Sequence, residues 1–314
     1  MGHDEHDAPL LTAGLIATGV IAVSFSGPIA ASTLAPALAV ALWRNAFGAM
    51  AGAPFTLLRR RAELTSLVRE RRRVLATAVV AGLFLALHFG LWIPSLRLTT
   101  VTASTALVTT TPLWTLALAR LRRTPVPRGV LVGVLLALVG VAVITGVDAS
   151  ASADNLRGDL MALGGGAAAA GYVTAGEWVR RTVGTASYSL VAYTTCALAL
   201  LPVCLLTGTQ LWGFSTRSWV EILVLTLTAQ LLGHTVLNRA LRSAGATTVS
   251  LAVLLEVPGA TLVAWVWLDQ APPLAIVPGA VLVLAGLAVV VRTQARARRG
   301  RVVVEVGNVT TAPA

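Results

Sequence analysis

Apolar residues fill this chain in long runs, separated by arginines, prolines, glycines and short polar patches. The runs predict helices near 10–31, 36–57, 74–96, 100–119 and 128–147, and a second set near 158–179, 187–207, 219–240, 247–268 and 274–292. About twenty apolar residues cross the hydrocarbon core of a bilayer as a helix. A soluble domain can bury one or two such helices but not ten, so the pattern predicts an all-α integral membrane protein with ten transmembrane helices. Composition agrees. The chain is 56% hydrophobic and 12% charged, against roughly 25% charged in soluble domains, and its mean hydropathy is +0.80.

The net charge of +11 comes from 24 basic residues, and every one is arginine. They sit in short loops between apolar runs, which is the footprint of membrane topology rather than of a nucleic-acid-binding face. With a cytoplasmic N-terminus, the clusters at 59–73, 120–128, 180–181, 239–242 and 292–301 all lie inside. Only Arg97, Arg157 and Arg217 fall outside, and Arg44 lies within a run. The positive-inside rule therefore puts both termini in the cytoplasm of a multi-pass plasma-membrane protein. The start, "MGHDEHDAP", lacks the basic segment of a signal peptide, so the first run is expected to be retained. Residues 148–157 read as an external linker and 293–314 as a basic, disordered tail. Cys196 and Cys204 share one helix too far apart for a disulfide.

Shifting the chain by 146 residues aligns 88–143 with 234–289, with fifteen identities over 56 positions and no gap. His88 falls on His234, Ser104 on Ser250, Pro112 on Pro258, Gly133 on Gly279 and Gly140 on Gly286. Residues 10–147 and 158–292 are thus read as repeats of five helices each. Five is odd, so the second must enter the membrane from the opposite side. Inverted repeats are the architecture of many secondary transporters, with the site near the midplane between the repeats.

"TTVTASTALVTTTPLWTLALARL" with "GVLLALVGVAVITG", and "GATTVSLAVLLEVPGATLVAWVWLDQAPP" with "PGAVLVLAGLAVVV", resemble the EamA-type drug/metabolite transporters. The resemblance covers roughly 10–292. It implies ten helices in two EamA domains, no cofactor, and transport of a small-molecule metabolite or drug. The Gly-Glu pair that closes the fourth and ninth helices in that family reads Arg122-Arg123 and Leu268-Asp269 here. No role is carried over from its glutamate.

Ionisable groups inside membrane spans are rare and are functional candidates by default. Glu256 sits mid-run in "LLEVPGA", beside a proline that cannot donate a backbone hydrogen bond. A helix break there would line a cavity, and the carboxyl is a candidate for substrate contact or for carrying a proton. The repeat mate of Glu256 is Thr110, in "TTTP". Arg44 is a candidate counter-charge for an anionic substrate or for Glu256, or a side chain that snorkels to the interface. His88 and His234 are expected in opposite halves of the membrane, with Trp92 four residues beyond the first. Gln230, His234 and Asn238 are spaced by four and should share one helix face. These eight residues form the predicted site: Arg44, His88, Trp92, Thr110, Gln230, His234, Asn238 and Glu256.

The reading that follows is a secondary transporter working by alternating access, with proton-coupled export through Glu256 as its energy source. The chain has no lysine and no Walker motif, which excludes ATP hydrolysis. The alternatives are an intramembrane metal-dependent hydrolase, weakened by the absence of H-E-x-x-H and by histidines on opposite sides of the midplane, and a membrane sensor or scaffold that transports nothing.

Overall fold

The computed structural model describes residues 4–147, 152–269, 271, 274–286, 288–290 and 292–293. Residues 148–151 of the predicted linker, and the tail beyond 293, lie outside these, while 153–157 of that linker are already helix. The described residues are helical, without strands.

α1 (Asp4–Ser24) and α2 (Ser26–Ser32) form one interrupted helix, followed by α3 (Ala37–Arg59) and a short α4 (Arg61–Arg69). Next come α5 (Arg72–Ser95), α6 (Val101–Val108), α7 (Thr111–Leu121) and α8 (Arg128–Val147). The second half holds α9 (Ala153–Arg180), α10 (Thr185–Leu206), α11 (Thr216–Leu225), a π-helical segment Thr226–Thr235, α12 (Val236–Ala244), α13 (Ala246–Val253) and α14 (Glu256–Leu268). A last apolar helix runs over Val277–Val290. Hydroxyls set several starts: the side chains of Thr100, Ser152 and Ser215 accept from backbone N–H groups in the first turns of α6, α9 and α11.

Among the described residues, helix occupies each predicted run, and five segments are long and apolar enough to cross a membrane: Leu10–Ser32, Arg72–Ser95, Thr185–Leu206, Thr216–Ala244 and Ala246–Leu268. Leu58, Leu206 and Val266 are each more than four-fifths exposed, as are few large apolar residues of a water-soluble surface. The protein is a multi-pass membrane protein. α4 stands where a loop was expected. Its Leu64 and Leu67 share one face and pack on the core beside α5. Its Glu63 carboxylate accepts from Gly184 N (2.7 Å) and Ser187 Oγ (2.5 Å), closing the start of α10.

The main core lies between α3, α5, α9 and α10, where Leu85, Phe89, Tyr188 and Tyr193 are buried. A second core joins α6, α7, α13 and α14 to α8 and the last helix. Two breaks organise it. The first, at Thr109-Thr110, separates α6 from α7, and the second, at Leu254-Leu255, separates α13 from α14. The 146-residue shift maps one break onto the other to within a residue. Pro112 and Pro258 each fall in the first turn after a break, where the missing N–H costs nothing. The hydroxyls of Thr109, Thr110 and Thr111 donate to the carbonyls of Ala106, Leu107 and Val108 (2.7–3.0 Å), so the first break leaves these carbonyls satisfied. α14 packs on α6, and α13 packs on α7. The broken helices therefore lie against each other, with Thr115 and Ser250 hydroxyls 3.2 Å apart.

α8 and the last helix cross on glycine. A Cβ added at Gly140 would stand 2.5 Å from Gly279 O, and one at Gly133 would stand 2.6 Å from Gly286 O. Backbone oxygen cannot yield as a flexible side chain can. Gly140→Val should therefore lower stability by about 1–3 kcal/mol, the usual penalty for overpacking. Thermal unfolding in detergent checks this, and an unchanged midpoint would show that the crossing is loose.

Candidate functional site

Polar side chains converge on one cavity where the two breaks meet α5, α9 and the π segment. Its wall is mainly apolar, with His88, Trp92, Tyr172, His234, Asn238 and Glu256 as its chief polar members. Its volume is about 70 Å³. That is room for a few waters, and it falls below the roughly 300–1,000 Å³ of a typical small-molecule pocket.

Glu256 enters from the first turn of α14 and is 6% exposed. Its carboxylate has no hydrogen bond or ion pair among the described residues. Proline in a run of apolar residues thus does what the sequence suggested: the chain breaks before Glu256 and delivers it to a cavity. His88 donates from Nδ1 to Gly165 O (3.0 Å), because a carbonyl can only accept. This leaves Nε2 as the acceptor of its ring. The imidazole stacks on Trp92 with planes 16° apart. The Trp92 indole N–H is buried and has no partner among the described residues.

The structure brings His88 and His234 together. Their rings lie 6.4 Å apart, and Phe89 and Tyr172 pack beside them. Sequence fixes the depth of a residue only to within about a turn, and two side chains each a turn from the centre can still meet. The polar stripe is also corrected. π-helical winding closes i→i+5 hydrogen bonds, so residues spaced by four no longer align across Thr226–Thr235. His234 and Asn238 line the cavity, whereas Gln230 lies behind it, fully buried. The carbonyl of Gln230 takes hydroxyls from Thr235 (3.1 Å) and Tyr193 (3.3 Å), which satisfies the irregular backbone.

Arg44 lies behind the wall as well. It is 0% exposed, so it does not snorkel. Nε donates to Gln230 Oε1 and Nη1 to Ser26 Oγ, both at 2.9 Å, and the guanidinium lies 4.1 Å over the Phe89 ring. Gln230 Nε2 passes the chain on to Asn45 Oδ1 (3.0 Å). Arg44 makes no ion pair with Glu256 or with any other described carboxylate, and its Nη2 is buried without a partner. Thr110 turns its hydroxyl to its own helix, and its neighbours Thr109 and Thr111 line the cavity instead.

The sequence missed Tyr172 and Ser26. Tyr172 donates to Asn238 Oδ1 (2.7 Å), and Asn238 Nδ2 donates to Ser189 Oγ (3.2 Å), which fixes the amide in place. Among the described residues no three of His, Cys, Asp and Glu converge as metal ligands would.

A model of the EamA-like transporter family matches residues 10–146 and again 156–292. The chain belongs to the EamA-like transporter family. A crystal structure of a protein 19% identical in sequence shares the fold, with a TM-score of 0.68 over 93% of this chain and 98% of that one. At that identity the likeness concerns the fold alone. No curated protein matches the chain. Members of the EamA-like family are membrane transporters of the drug/metabolite superfamily, which places the cavity between two family repeats.

Proposed function

We propose that this EamA-like protein is a secondary transporter. It moves a small metabolite across the plasma membrane by rocking two inverted five-helix halves about the cavity, with both termini in the cytoplasm. The observation that carries the reading is a carboxylate, Glu256, held without a partner among the described residues at a helix break that meets the other half's break. Irregular backbone at membrane depth is tolerated where it lines a cavity, and transporter sites are built at such discontinuous helices. Two contact sets support inversion. The approach of Gly133 to Gly286 becomes that of Gly279 to Gly140 under the 146-residue shift, and both approaches occur. The packing of α6 on α14 becomes that of α13 on α7 in the same way. The small cavity supports alternating access, because a metabolite enters only if the halves part.

Glu256 is the proposed proton carrier of the cycle. The test compares metabolites shifted by cells expressing wild type, Glu256→Gln or empty vector, with membrane levels matched by blot. Wild type should shift one compound class, and Glu256→Gln should shift it about tenfold more slowly, the equivalent of ~1.4 kcal/mol. Equal shifts would keep transport and remove Glu256 from the cycle. No difference between wild type and empty vector would end the transporter reading.

A further inference from the structure

The buried charges around the cavity do not pair with each other. Arg44 carries a permanent charge, is fully buried, and has one N–H group without an acceptor. Its four-residue hydrogen-bond chain supplies only neutral partners: Ser26, Gln230 and, beyond it, Asn45. Removing an ion from water costs several kcal/mol unless an opposite charge compensates it. A buried cation at membrane depth therefore marks a place where an anion is expected.

The cavity wall shows where that anion would sit. Ser26 lines the cavity and accepts from Arg44 Nη1, which leaves its own O–H free to donate inward. The hydroxyl is thus polarised by a guanidinium directly behind it. Trp92 lines the same cavity with its unpartnered N–H. The two are close in the fold, because a Cβ on Gly27, the residue after Ser26, would lie 3.8 Å from the Trp92 ring. Two donors and the field of one cation make a recognition site for an anionic oxygen group. Most of the remaining wall is apolar, which suits a small hydrocarbon or aromatic body.

Charge balance then limits what else crosses. The ionisable groups that face Arg44 and Glu256 are His88 on α5, Tyr172 on α9, His234 on the π segment, and Tyr193 and Cys196 on α10. This set contains one permanent cation and one carboxyl. With the cavity empty, the guanidinium and an ionised Glu256 sum to zero. With a monoanion bound, the sum returns to zero when the set takes up one proton, and Glu256, the carboxyl that lines the cavity without a partner among the described residues, is the group we assign it to.

We propose that the substrate is a small organic monoanion, bound by Ser26 and Trp92 in the field of Arg44, and that it crosses together with one proton on Glu256. This rests on the transporter reading above and deepens it. It also replaces the proton-coupled export expected from sequence with symport. The proton is taken from water on the loading side and returned to water on the release side, and no bond is made or broken in the substrate.

The experiment profiles the cells' own small metabolites, inside and outside, for wild type, Arg44→Gln, Ser26→Ala, Trp92→Phe and empty vector. Compounds that move are sorted by their charge at neutral pH. Wild type should move monoanions, and Ser26→Ala and Trp92→Phe should each slow them about tenfold, matching the loss of one charge-assisted hydrogen bond. These two variants keep the test valid if Arg44→Gln fails to reach the membrane. The moved anion is then supplied to wild-type cells and to Glu256→Gln cells with the outside at pH 6 or pH 8. Acid outside should drive uptake by wild type and leave Glu256→Gln unaffected. Movement of neutral or cationic compounds alone would overturn the inference and leave the transporter reading intact. Acid-driven expulsion of the anion would overturn the symport. No movement by wild type would overturn both readings together.

Discussion

Replacing Gln230 with leucine is expected to destabilise the protein by about 3–5 kcal/mol, the range for orphaning a buried charge. Gln230 makes two buried hydrogen bonds in opposite senses, accepting from Arg44 Nε and donating to Asn45 Oδ1. Leucine fills similar volume but leaves both groups unsatisfied, and Arg44 already has one N–H without a partner. Nothing nearby can move in to help. The π segment pins the Gln230 backbone through Thr235 and Tyr193, and α3 is so close that a Cβ on Gly48 would lie 2.9 Å from the Gln230 side chain. The second half of the test is the pair Arg44→Met with Gln230→Leu. Removing the charge along with its partner takes away the reason for the penalty, so the double variant should be more stable than Gln230→Leu alone. Denaturant unfolding in detergent, with urea and circular dichroism, gives the comparison. If Gln230→Leu stays within about 0.5 kcal/mol of wild type, as surface changes do, water reaches Arg44 and the guanidinium is not an isolated charge. If the double variant is no better than the single, Gln230 acts by packing alone.

The same residues show what a sequence of this kind can disclose. Glu256, His88 and His234 are legible because each is ionisable in an apolar run, and such residues are expensive unless they face protein or a cavity. The break was legible from Pro258, and its mate from Pro112 at the same place in the repeat. Tyr172 and Ser26 were not legible. Each is a single ordinary residue whose role depends on which helix passes opposite, and neither local pattern nor propensity carries that information. Gln230 was assigned to the right helix and the wrong face. An α-helical period was assumed through a stretch wound as π, and the stabilising hydroxyls of Tyr193 and Thr235 lie outside any local motif. α4 was read as loop because it is far too short to cross a membrane and lies within a cluster of arginines, while only two leucines face the core. Arg44 was recognised as anomalous, yet the sequence left open whether it met Glu256. The structure gives it neutral partners in place of Glu256, and on that difference rests the proposal of an anion held in its field.

The triplet Gly164-Gly165-Gly166 supplies the second large effect, because three identical residues face three different neighbours. A Cβ on Gly164 would meet only Leu91 Cδ1, at 3.2 Å, the far end of a side chain that can turn away. Gly164→Ala should therefore be neutral, or stabilising by up to about 1 kcal/mol through helix propensity. Gly166 faces the first break. A Cβ there would stand 2.6 Å from Val108 O and 3.3 Å from Thr110 Oγ1, and Gly166 O accepts from Thr111 Oγ1 at 3.3 Å. Val108 O also accepts from Thr111 (2.9 Å), so it cannot withdraw without losing the bond that satisfies it. Gly166→Val should cost about 3 kcal/mol or more, at the upper end of overpacking, despite acting in the middle of α9. Its effect on transport should exceed its effect on stability, because relief of the clash moves Thr109 and Thr111, which line the cavity. Measuring unfolding midpoints and metabolite movement for both variants separates the two contributions. Equal behaviour of Gly164→Ala and Gly166→Val would mean that α9 stands off from the break, and that the two halves of the site are not held together through it.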